Sequence, residues 1–454
     1  MNRYRKYLWI GIVVVLVTAC DNVLEPEPVD LLTNDIVLNE PSDVADVEIG
    51  LYSAFRNIIP GMVISGDFTA DMLMHNGTFS QYRELGTKQI SSANASAAGL
   101  WGSIYNTVYI ANFILERLPE VPGVTTTERN RVTGTAYFLR GYAYFVAMHT
   151  FGRVPEVIST DIETNRNIPR ASIDAILERI EEDFDEALTL LPNEPVNAGF
   201  AGKHAVRSAL AKLALYLENW SEAEQQATAV IQSGLYTLED DFSSLVNEDF
   251  TDEAIFEVGY TISDDPGTNN NIGLNNLFVG RREIIPSNEV VVKLASSESG
   301  DRFSSIAFDV NNLNGSDNGW SVAKYGTADA DNNNVVVFRL GELFLIRAEA
   351  RARQGKVTGG GSALDDINTL RARANAPVVP SVSQSQMLSI IEEERVFELA
   401  FEGHRWYDLV RTGRAAAVMT AFSPNWKDTY ELWPIPQREM LNNPALSGDQ
   451  NPGY

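Results

Sequence analysis

Apolar residues recur at helical spacing through most of the chain, and this period restricts the fold more than any other feature. Leu100–Leu115, Phe138–Val157 and Ile173–Leu191 each carry an apolar or aromatic stripe with a period of three to four residues. Gly152 and Pro155 are expected to end the second of these helices. The pattern therefore predicts a mainly α fold.

Two further segments read as pairs of helices. Ala205–Gly234 predicts two helices joined at Glu218–Asn219, with small residues that allow close approach. Phe338–Gly355 and Ala363–Ala376 predict a second pair. In that pair we expect one helix to face the other through Leu345, Ala348 and Ala352 against Leu364, Ile367 and Leu370. Both pairs resemble tetratricopeptide hairpins, but long insertions separate them, so a regular solenoid is not expected.

Two segments lack a helical period and are rich in Asn, Asp, Gly and Ser. They are Gly66–Gly99 and Ile262–Val335, and we predict loops and short strands for both. Long irregular stretches inside a helical scaffold usually carry function. A ligand face built from these two segments is therefore expected.

The start of the chain resembles a bacterial lipoprotein leader. Basic residues precede the apolar run Leu8–Val17, which is too short to span a bilayer and is followed by Cys20. We predict a signal peptide at residues 1–19, a lipidated Cys20 with a flexible tether at 20–40, and a single domain at 41–454. Asp21 favours inner-membrane retention under some sorting rules, whereas the acidic tether resembles a surface-export signal, and we favour the outer membrane.

Composition excludes several classes of protein. The chain has 454 residues, 44% of them hydrophobic, which is enough for a large core. Its formal net charge of −26 argues against nucleic-acid binding, because such a surface repels phosphate backbones. Cys20 is the only cysteine, so an intramolecular disulfide and a cysteine-based zinc cluster are both excluded.

Several segments follow one another in a fixed order: LWGSIYNTVYIANFIL (100–115), FLRGYAYFVAMHTFGRVP (138–155), the pair at 205–234, Glu253–Glu257, Gly300–Phe303, Lys324–Tyr325, VVFRLGELFLIRAEARA (336–352), EERVFELAFEGHRWYDLVR (393–411) and IPQREMLNNPALSGDQNPGY (435–454). Together and in this order they resemble the SusD/RagB family of outer-membrane glycan-binding lipoproteins. The resemblance implies helix pairs near 100–235 and 338–412 that pack against a loop-rich face near 262–335. It also implies a lid on a SusC-like TonB-dependent barrel that delivers oligosaccharides, without catalysis.

Three glutamates in the 393–411 segment could suggest a metal site. Glu394, Glu398 and Glu402 are spaced four residues apart, which would place them on one helix face. A di-metal bundle also needs a histidine three residues after a glutamate, and none stands there. We therefore interpret these residues as a partly buried ion-pair network, with Arg395 and Arg405 as the nearest partners in sequence.

No other motif demands a cofactor. His75, His149, His204 and His404 are scattered without metal-ligand spacing, and His149 and His404 are interpreted as structural. Asp329–Asn333 resembles the start of a calcium loop, but Asn334 and Leu340 replace the glycine and glutamate that an EF-hand requires. We predict no cofactor, and leave room for a loosely bound calcium ion.

Sugar binding needs flat aromatic rings for stacking on pyranose faces and planar polar groups for the hydroxyls. Trp320 lies in a polar segment with no apolar stripe to bury it, so we expect it to be a ligand platform. Further candidates in the two loop-rich segments are Tyr82, Arg83, Asp67, Asp71, His75 and Phe278. Trp101, Trp220, Trp406 and Trp433 are expected in the core or in structural positions.

Two other functions stay open at the level of sequence. A peptide-capturing lid would use a polar groove with few exposed aromatic rings. A surface glycosidase would need two carboxylates about 5–10 Å apart in a cleft. With 61 acidic residues, chance pairs of carboxylates are plentiful, so their presence alone carries little weight.

Overall fold

The computed structural model describes residues 38–259, 273–325 and 334–454. The predicted signal peptide, Cys20, most of the tether and Asp329–Asn333 lie outside the described residues. The helices are α1 Asp43–Arg56, α2 Ile59–Val63, α3 Ser80–Gly86, α4 Ala95–Arg117, α5 Thr126–Phe151, α6 Ile162–Asn165, α7 Ile173–Leu190, α8 Lys203–Tyr216, α9 Trp220–Ile231, α10 Ser244–Asn247, α11 Asn288–Leu294, α12 Leu340–Arg353, α13 Ala363–Arg373, α14 Gln384–Glu398, α15 Arg405–Arg411, α16 Ala415–Phe422 and α17 Gln437–Asn442. This mainly α architecture confirms the prediction from the periodicity.

The long helices α4, α5 and α7 form the centre of the core. Side chains cap their N-termini: Asn94 accepts from two backbone N–H groups, and Thr125 and Ser172 each accept from one. Gly152 ends α5 with a φ of 73°, as expected from the sequence. Within the ranges described, no helix combines the length and the apolar character that crossing a bilayer requires.

Both predicted helix pairs are present. Helices α8 and α9 meet at Glu218, whose φ is 57°, and Asn219 caps α9. Helices α12 and α13 share a small separate core that includes Leu345, Ala348, Ala352, Ala363, Ile367 and Leu370, and Met387 and Ile391 of α14 also belong to it. The predicted helical start at Phe338 is wrong, because Val335–Arg339 is a strand and the helix begins at Leu340.

Six strands form three antiparallel two-stranded sheets within the described ranges. The strands are β1 Leu73–His75, β2 Ala254–Val258, β3 Ile284–Pro286, β4 Ile306–Asn314, β5 Asp317–Val322 and β6 Val335–Arg339. They pair as β1 with β3, β2 with β6, and β4 with β5. Because His75 pairs with Ile284, the first loop-rich segment lies beside the second.

A buried network of arginines and glutamates joins α14 to the strands and to α13. Arg339 contacts Glu253, Glu398 and Glu402 at 2.7 to 2.9 Å, and Arg302 binds Glu394 and Glu398. The side chains of Arg302, Glu394 and Glu398 are fully buried. The network confirms a structural role for the three glutamates.

Two details of the predicted network are wrong. Helix α14 ends at Glu398, so Glu402 lies in the turn that follows and not on the same helix face. Arg395 and Arg405 do not bind these glutamates: Arg395 binds Asp408, and Arg405 binds Asp71. Arginines distant in sequence take their place, because the fold brings β6 and the segment before β4 onto α14.

The turn between α14 and α15 packs against a π-helical turn at Ile64–Phe68. Gly403 has a φ of 83°, which favours glycine, and its N–H donates to Asp67. A Cβ atom on Gly66 would lie 2.0 Å from the carbonyl oxygen of Gly403. The two backbones are therefore in direct contact, with no room for a side chain at position 66.

Candidate functional site

The two loop-rich segments meet at one surface, which we call the loop face: residues 73–83, 281–286 and 303–322. Asp317 joins its parts. Its carboxylate accepts from Asn76 Nδ2 at 2.9 Å and from Arg282 Nε at 2.8 Å. Burial would raise the pKa of Asp317, but the Arg282 guanidinium and the Gly319 N–H outweigh it, so the pKa is lowered. The Arg282–Asp317 ion pair and the Asn76 amide thus hold the β4–β5 hairpin against the segments next to β3 and β1.

An aromatic cluster stands on this hairpin. Trp320 lies opposite Phe308 in the strand register, with ring centroids 5.1 Å apart, and the Phe303 ring is 5.7 Å from Trp320. Phe308 is 50% exposed, Phe303 is 40% exposed and Trp320 is half-buried. Gly319 permits the contact, since a Cβ there would lie 2.6 Å from the Phe308 ring. The cluster presents flat apolar surface to solvent.

A second aromatic group lies at the start of α3, on Phe79 just before the helix and Tyr82 in its first turn. The guanidinium of Arg281 stacks over the Phe79 ring at 4.4 Å, and Phe79 is 6.3 Å from the Tyr82 ring. Glu283 holds this loop, because its carboxylate accepts from the backbone N–H groups of Thr78 and Phe79 at 2.7 and 3.0 Å. The loop face therefore combines two aromatic groups with charged and amide side chains.

The structure places four of the candidate ligand residues on or beside the loop face. Trp320 is half-buried, as described above, and Arg83 is exposed on α3. His75 is half-buried on β1, and burial lowers the pKa of its imidazole. Tyr82 is only 8% exposed, so its ring supports Phe79 more than it faces solvent.

The structure corrects the prediction for Asp67 and Phe278 and gives Asp71 another partner. Asp67 is fully buried and accepts from the N–H groups of Gly403 and Arg405 at 2.8 and 3.1 Å. Phe278 is fully buried and stacks on Tyr325 at 5.7 Å. Asp71 forms an ion pair with Arg405 at 2.9 Å. These residues hold the framework under the loop face, because their polar atoms and rings are used internally.

Asp67 leads to a prediction about pH. Burial raises the pKa of Asp67 to about 7, although two backbone N–H groups oppose the shift. Because an unfolded aspartate titrates near 3.9, the stability that Asp67 contributes is complete below about pH 4 and lost as the pH rises through about 7. Between these values we expect wild type to lose up to about 4 kcal/mol relative to Asp67→Asn. Urea unfolding of both proteins at several pH values measures this difference; parallel profiles would contradict it.

Sequence reasoning did not assign a ligand role to Phe303, Phe308, Phe79 or Arg281. A signal for the hairpin was available, since Gly315–Ser316, the two residues between the paired Asn314 and Asp317, is a dipeptide typical of two-residue hairpin turns. Gly315 has the required positive φ of 62°. No sequence pattern indicates the stacking of Arg281 on Phe79, because these residues are distant in sequence.

A separate charged cleft of about 200 Å³ lies between α12, α14 and α15. Its walls include Glu349, Arg395, Asp408 and Arg411, which pair with one another: Arg411 binds Glu349 at 2.7 Å and Arg395 binds Asp408 at 2.6 Å. We interpret it as part of the structural ion pairing. In the described ranges, histidines and carboxylates form no group of three or more that could hold a metal ion.

Two family models match different parts of the chain. A family model described as the SusD family matches residues 311–454, and one described as starch-binding and associating with the outer membrane matches residues 27–216. The SusD-like protein P38 of Formosa agariphila is 23% identical, over 97% of this chain and 96% of that protein.

Solved structures share the fold. A SusD homolog from Bacteroides thetaiotaomicron superposes with a TM-score of 0.80 at 20% identity, over 93% of this chain and 98% of that one. A laminarin-binding SusD-like protein gives a TM-score of 0.78 at 23% identity, over 92% of this chain and 100% of that one. With both family models matched and this fold in common, the chain belongs to the SusD/RagB family.

Proposed function

We propose that this chain is a non-catalytic glycan-binding lipoprotein of the outer membrane. The observation that carries the proposal is the cluster of Trp320, Phe308 and Phe303 on the loop face, with rings 5.1 and 5.7 Å apart and partly open to solvent. Large aromatic rings are usually buried in a soluble protein unless a partner or ligand covers them. A flat ring of this kind suits the C–H face of a pyranose.

Two features of relatives support the same class of ligand. One matched family model is described as starch-binding, and one structural neighbour binds laminarin. In this proposal Cys20 carries the acyl chain, residues 20–40 form the tether, and the captured oligosaccharide passes to a SusC-like TonB-dependent barrel. The protein then acts by capture and delivery, so no catalytic pair of carboxylates is required.

The loop face favours sugar over the alternative of peptide capture. A peptide lid would use a polar groove with few exposed rings, whereas Phe303 and Phe308 are 40% and 50% exposed. Competition by added peptides distinguishes glycan capture from peptide capture directly. If peptides displaced a bound glycan from the same residues, the ligand class would have to be revised.

Trp320→Ala is expected to weaken glycan binding by about tenfold to a hundredfold, because removing an aromatic side chain on which a ligand ring stacks costs about 1–3 kcal/mol, the range known for nucleobases. The measurement is affinity gel electrophoresis of the full chain in a non-ionic detergent against a panel of polysaccharides. Phe308→Ala should weaken binding in the same direction. Phe250→Ala is the matched control, since Phe250 is 48% exposed but lies outside the loop face.

The same gels test the remaining parts of the proposal. Unchanged polysaccharide chain length after incubation would agree with a binding protein, whereas shortening would indicate a glycosidase. Repeating the gels with a chelator shows whether calcium orders the loops. Equal retardation of wild type and Trp320→Ala by every glycan that binds would place the site elsewhere.

A further inference from the structure

One arginine stacks on an aromatic ring of the loop face and a second lies one helical turn further along the chain, and both bear on the chemistry of the ligand. Arg281 stacks on Phe79 at 4.4 Å with its side chain 39% exposed. Arg83 is exposed on the helix that follows Phe79. Neutral sugars need no cation at such positions, because amides and carboxylates serve hydroxyl groups equally well.

Arg281 is held in place, but its guanidinium still has N–H donors available to a ligand. Its one ion-pair contact is to Glu283 at 3.3 Å, and the other Glu283 oxygen accepts from the backbone of Thr78 and Phe79. A guanidinium has five N–H donors in a planar fork. Since stacking on Phe79 fixes the plane of this fork, its unused donors are oriented before a ligand arrives, as a carboxylate or sulfate requires.

Arg83 adds a second guanidinium to this part of the loop face. Among the described residues its guanidinium forms no ion pair, although Arg83 and Glu283 both lie near enough to His75 to influence its pKa. Of the neighbouring carboxylates, Asp317 is paired with Arg282 at 2.5 Å and Glu283 with Arg281. Burial lowers the pKa of His75, so the imidazole adds no charge at neutral pH. On the part of the loop face formed by residues 73–83 and 281–286, one guanidinium is therefore left in excess, whereas the exposed carboxylate of Asp309 lies on the hairpin.

The acidity of the whole chain does not cancel this local excess. The formal net charge is −26, but at physiological ionic strength exposed charges are largely screened beyond about 8 Å. A ligand bound at residues 73–83 and 281–286 therefore responds mainly to the charged groups there, which include Arg83 and Arg281. An arginine stacked on Phe79, with a second arginine one helical turn further along the chain, points to a specific use on so acidic a protein.

We propose that the glycan captured on the loop face is acidic, with a carboxylate or sulfate group that binds Arg281 and Arg83 while a sugar ring stacks on the Trp320 cluster. This inference rests on the proposed function and specifies its ligand class. Carboxylate and sulfate share the same chemistry at a guanidinium. The experiment separates them by using both kinds of polymer.

The test is affinity electrophoresis of the full chain in detergent with matched pairs of polymers. Polygalacturonate is run beside its carboxyl-reduced form, and chondroitin sulfate and carrageenan beside their desulfated forms. We expect at least one acidic polymer to bind about tenfold more tightly than its neutral counterpart, with binding that weakens as salt is raised. Arg281→Gln and Arg83→Gln should each remove most of this preference.

Two further variants make the result specific. Arg281→Lys keeps the charge but loses the planar fork, so it should restore only part of the preference. Arg166→Gln is the matched control, because Arg166 is an exposed arginine in another segment, with its side chain 65% exposed. A thermal unfolding midpoint equal to that of wild type shows that each variant is folded.

The outcomes separate the two proposals. Equal binding of acidic and neutral polymers, with no effect of the arginine variants but a loss in Trp320→Ala, would overturn the acidic ligand and leave glycan binding in place. A loss as large in Arg166→Gln would overturn it as well, since the attraction would be non-specific. Binding to none of the polymers, charged or neutral, would count against both proposals.

Discussion

Replacing Glu398 by alanine is expected to lower the free energy of unfolding by about 3–5 kcal/mol, the usual loss when one partner of a buried ion pair is removed. Glu398 contacts Arg339 at 2.7 Å and Arg302 at 3.3 Å, and it also binds Arg373. Burial would raise the pKa of Glu398, but these three guanidiniums hold it well below the usual range. Without the carboxylate, three buried cations would lose their shared partner.

Urea unfolding followed by circular dichroism measures this loss as a lower transition midpoint. Glu398→Gln, which keeps the shape and removes the charge, should fall between wild type and Glu398→Ala. Glu163→Ala is the control, because Glu163 is 80% exposed and its pair with Arg166 at 3.5 Å lies on the surface. A loss in Glu398→Ala no greater than in this control would show that the network contributes little to stability.

Replacing Gly66 by alanine is expected to prevent the native fold or to destabilise it by more than about 4 kcal/mol, a range reached only by severe local conflicts. The new Cβ would lie 2.0 Å from the Gly403 carbonyl oxygen and 2.6 Å from the Gly403 Cα. Both neighbours are backbone atoms, so no side-chain rotation relieves the clash. Separation of the two segments would also stretch the bonds from Gly403 and Arg405 to Asp67.

Soluble yield and the thermal midpoint measure the effect. Gly102→Ala is the matched control, since Gly102 is exposed within α4 and a Cβ there meets no atom within 4 Å. Because alanine is the better helix former, this control should be more stable than wild type by about 0.5–1 kcal/mol. A Gly66→Ala protein with a wild-type midpoint would show that the two turns can separate without loss.

The helices were predictable where the apolar period is strong, as in Ile173–Leu191 and the pair at 205–234. The start of α5 at Thr126 was missed, because its first turns are polar and carry no stripe. Val335–Arg339 was misassigned since a short apolar run beside a helix suits either structure until its pairing with β2 is known. Glu402 left the helix because Phe401 and Gly403 adopt positive φ angles of 68° and 83°.

The candidate site was predictable in part. The polar neighbours of Trp320 indicated exposure, and the two loop-rich segments do meet. The burial of Asp67 and Phe278 depends on packing between segments far apart in sequence, such as Gly66 against Gly403. Local composition does not report such contacts, so acidic and aromatic residues in one loop look alike whether they face solvent or the core.

The β4–β5 hairpin has a consequence for how binding preference can diversify. Its two strands pair with each other in the described structure. Phe308, Val310 and Leu313 on β4 are exposed and are not part of the helical core. The hairpin is attached through Asp317, which binds Asn76 and Arg282, through Asn318, which donates to the Pro286 carbonyl, and through Ile306 and Val322 at its base, which are buried in the main core. A lineage that keeps these anchors and exchanges the exposed remainder of the hairpin would acquire a new recognition surface while inheriting an unchanged folding scaffold.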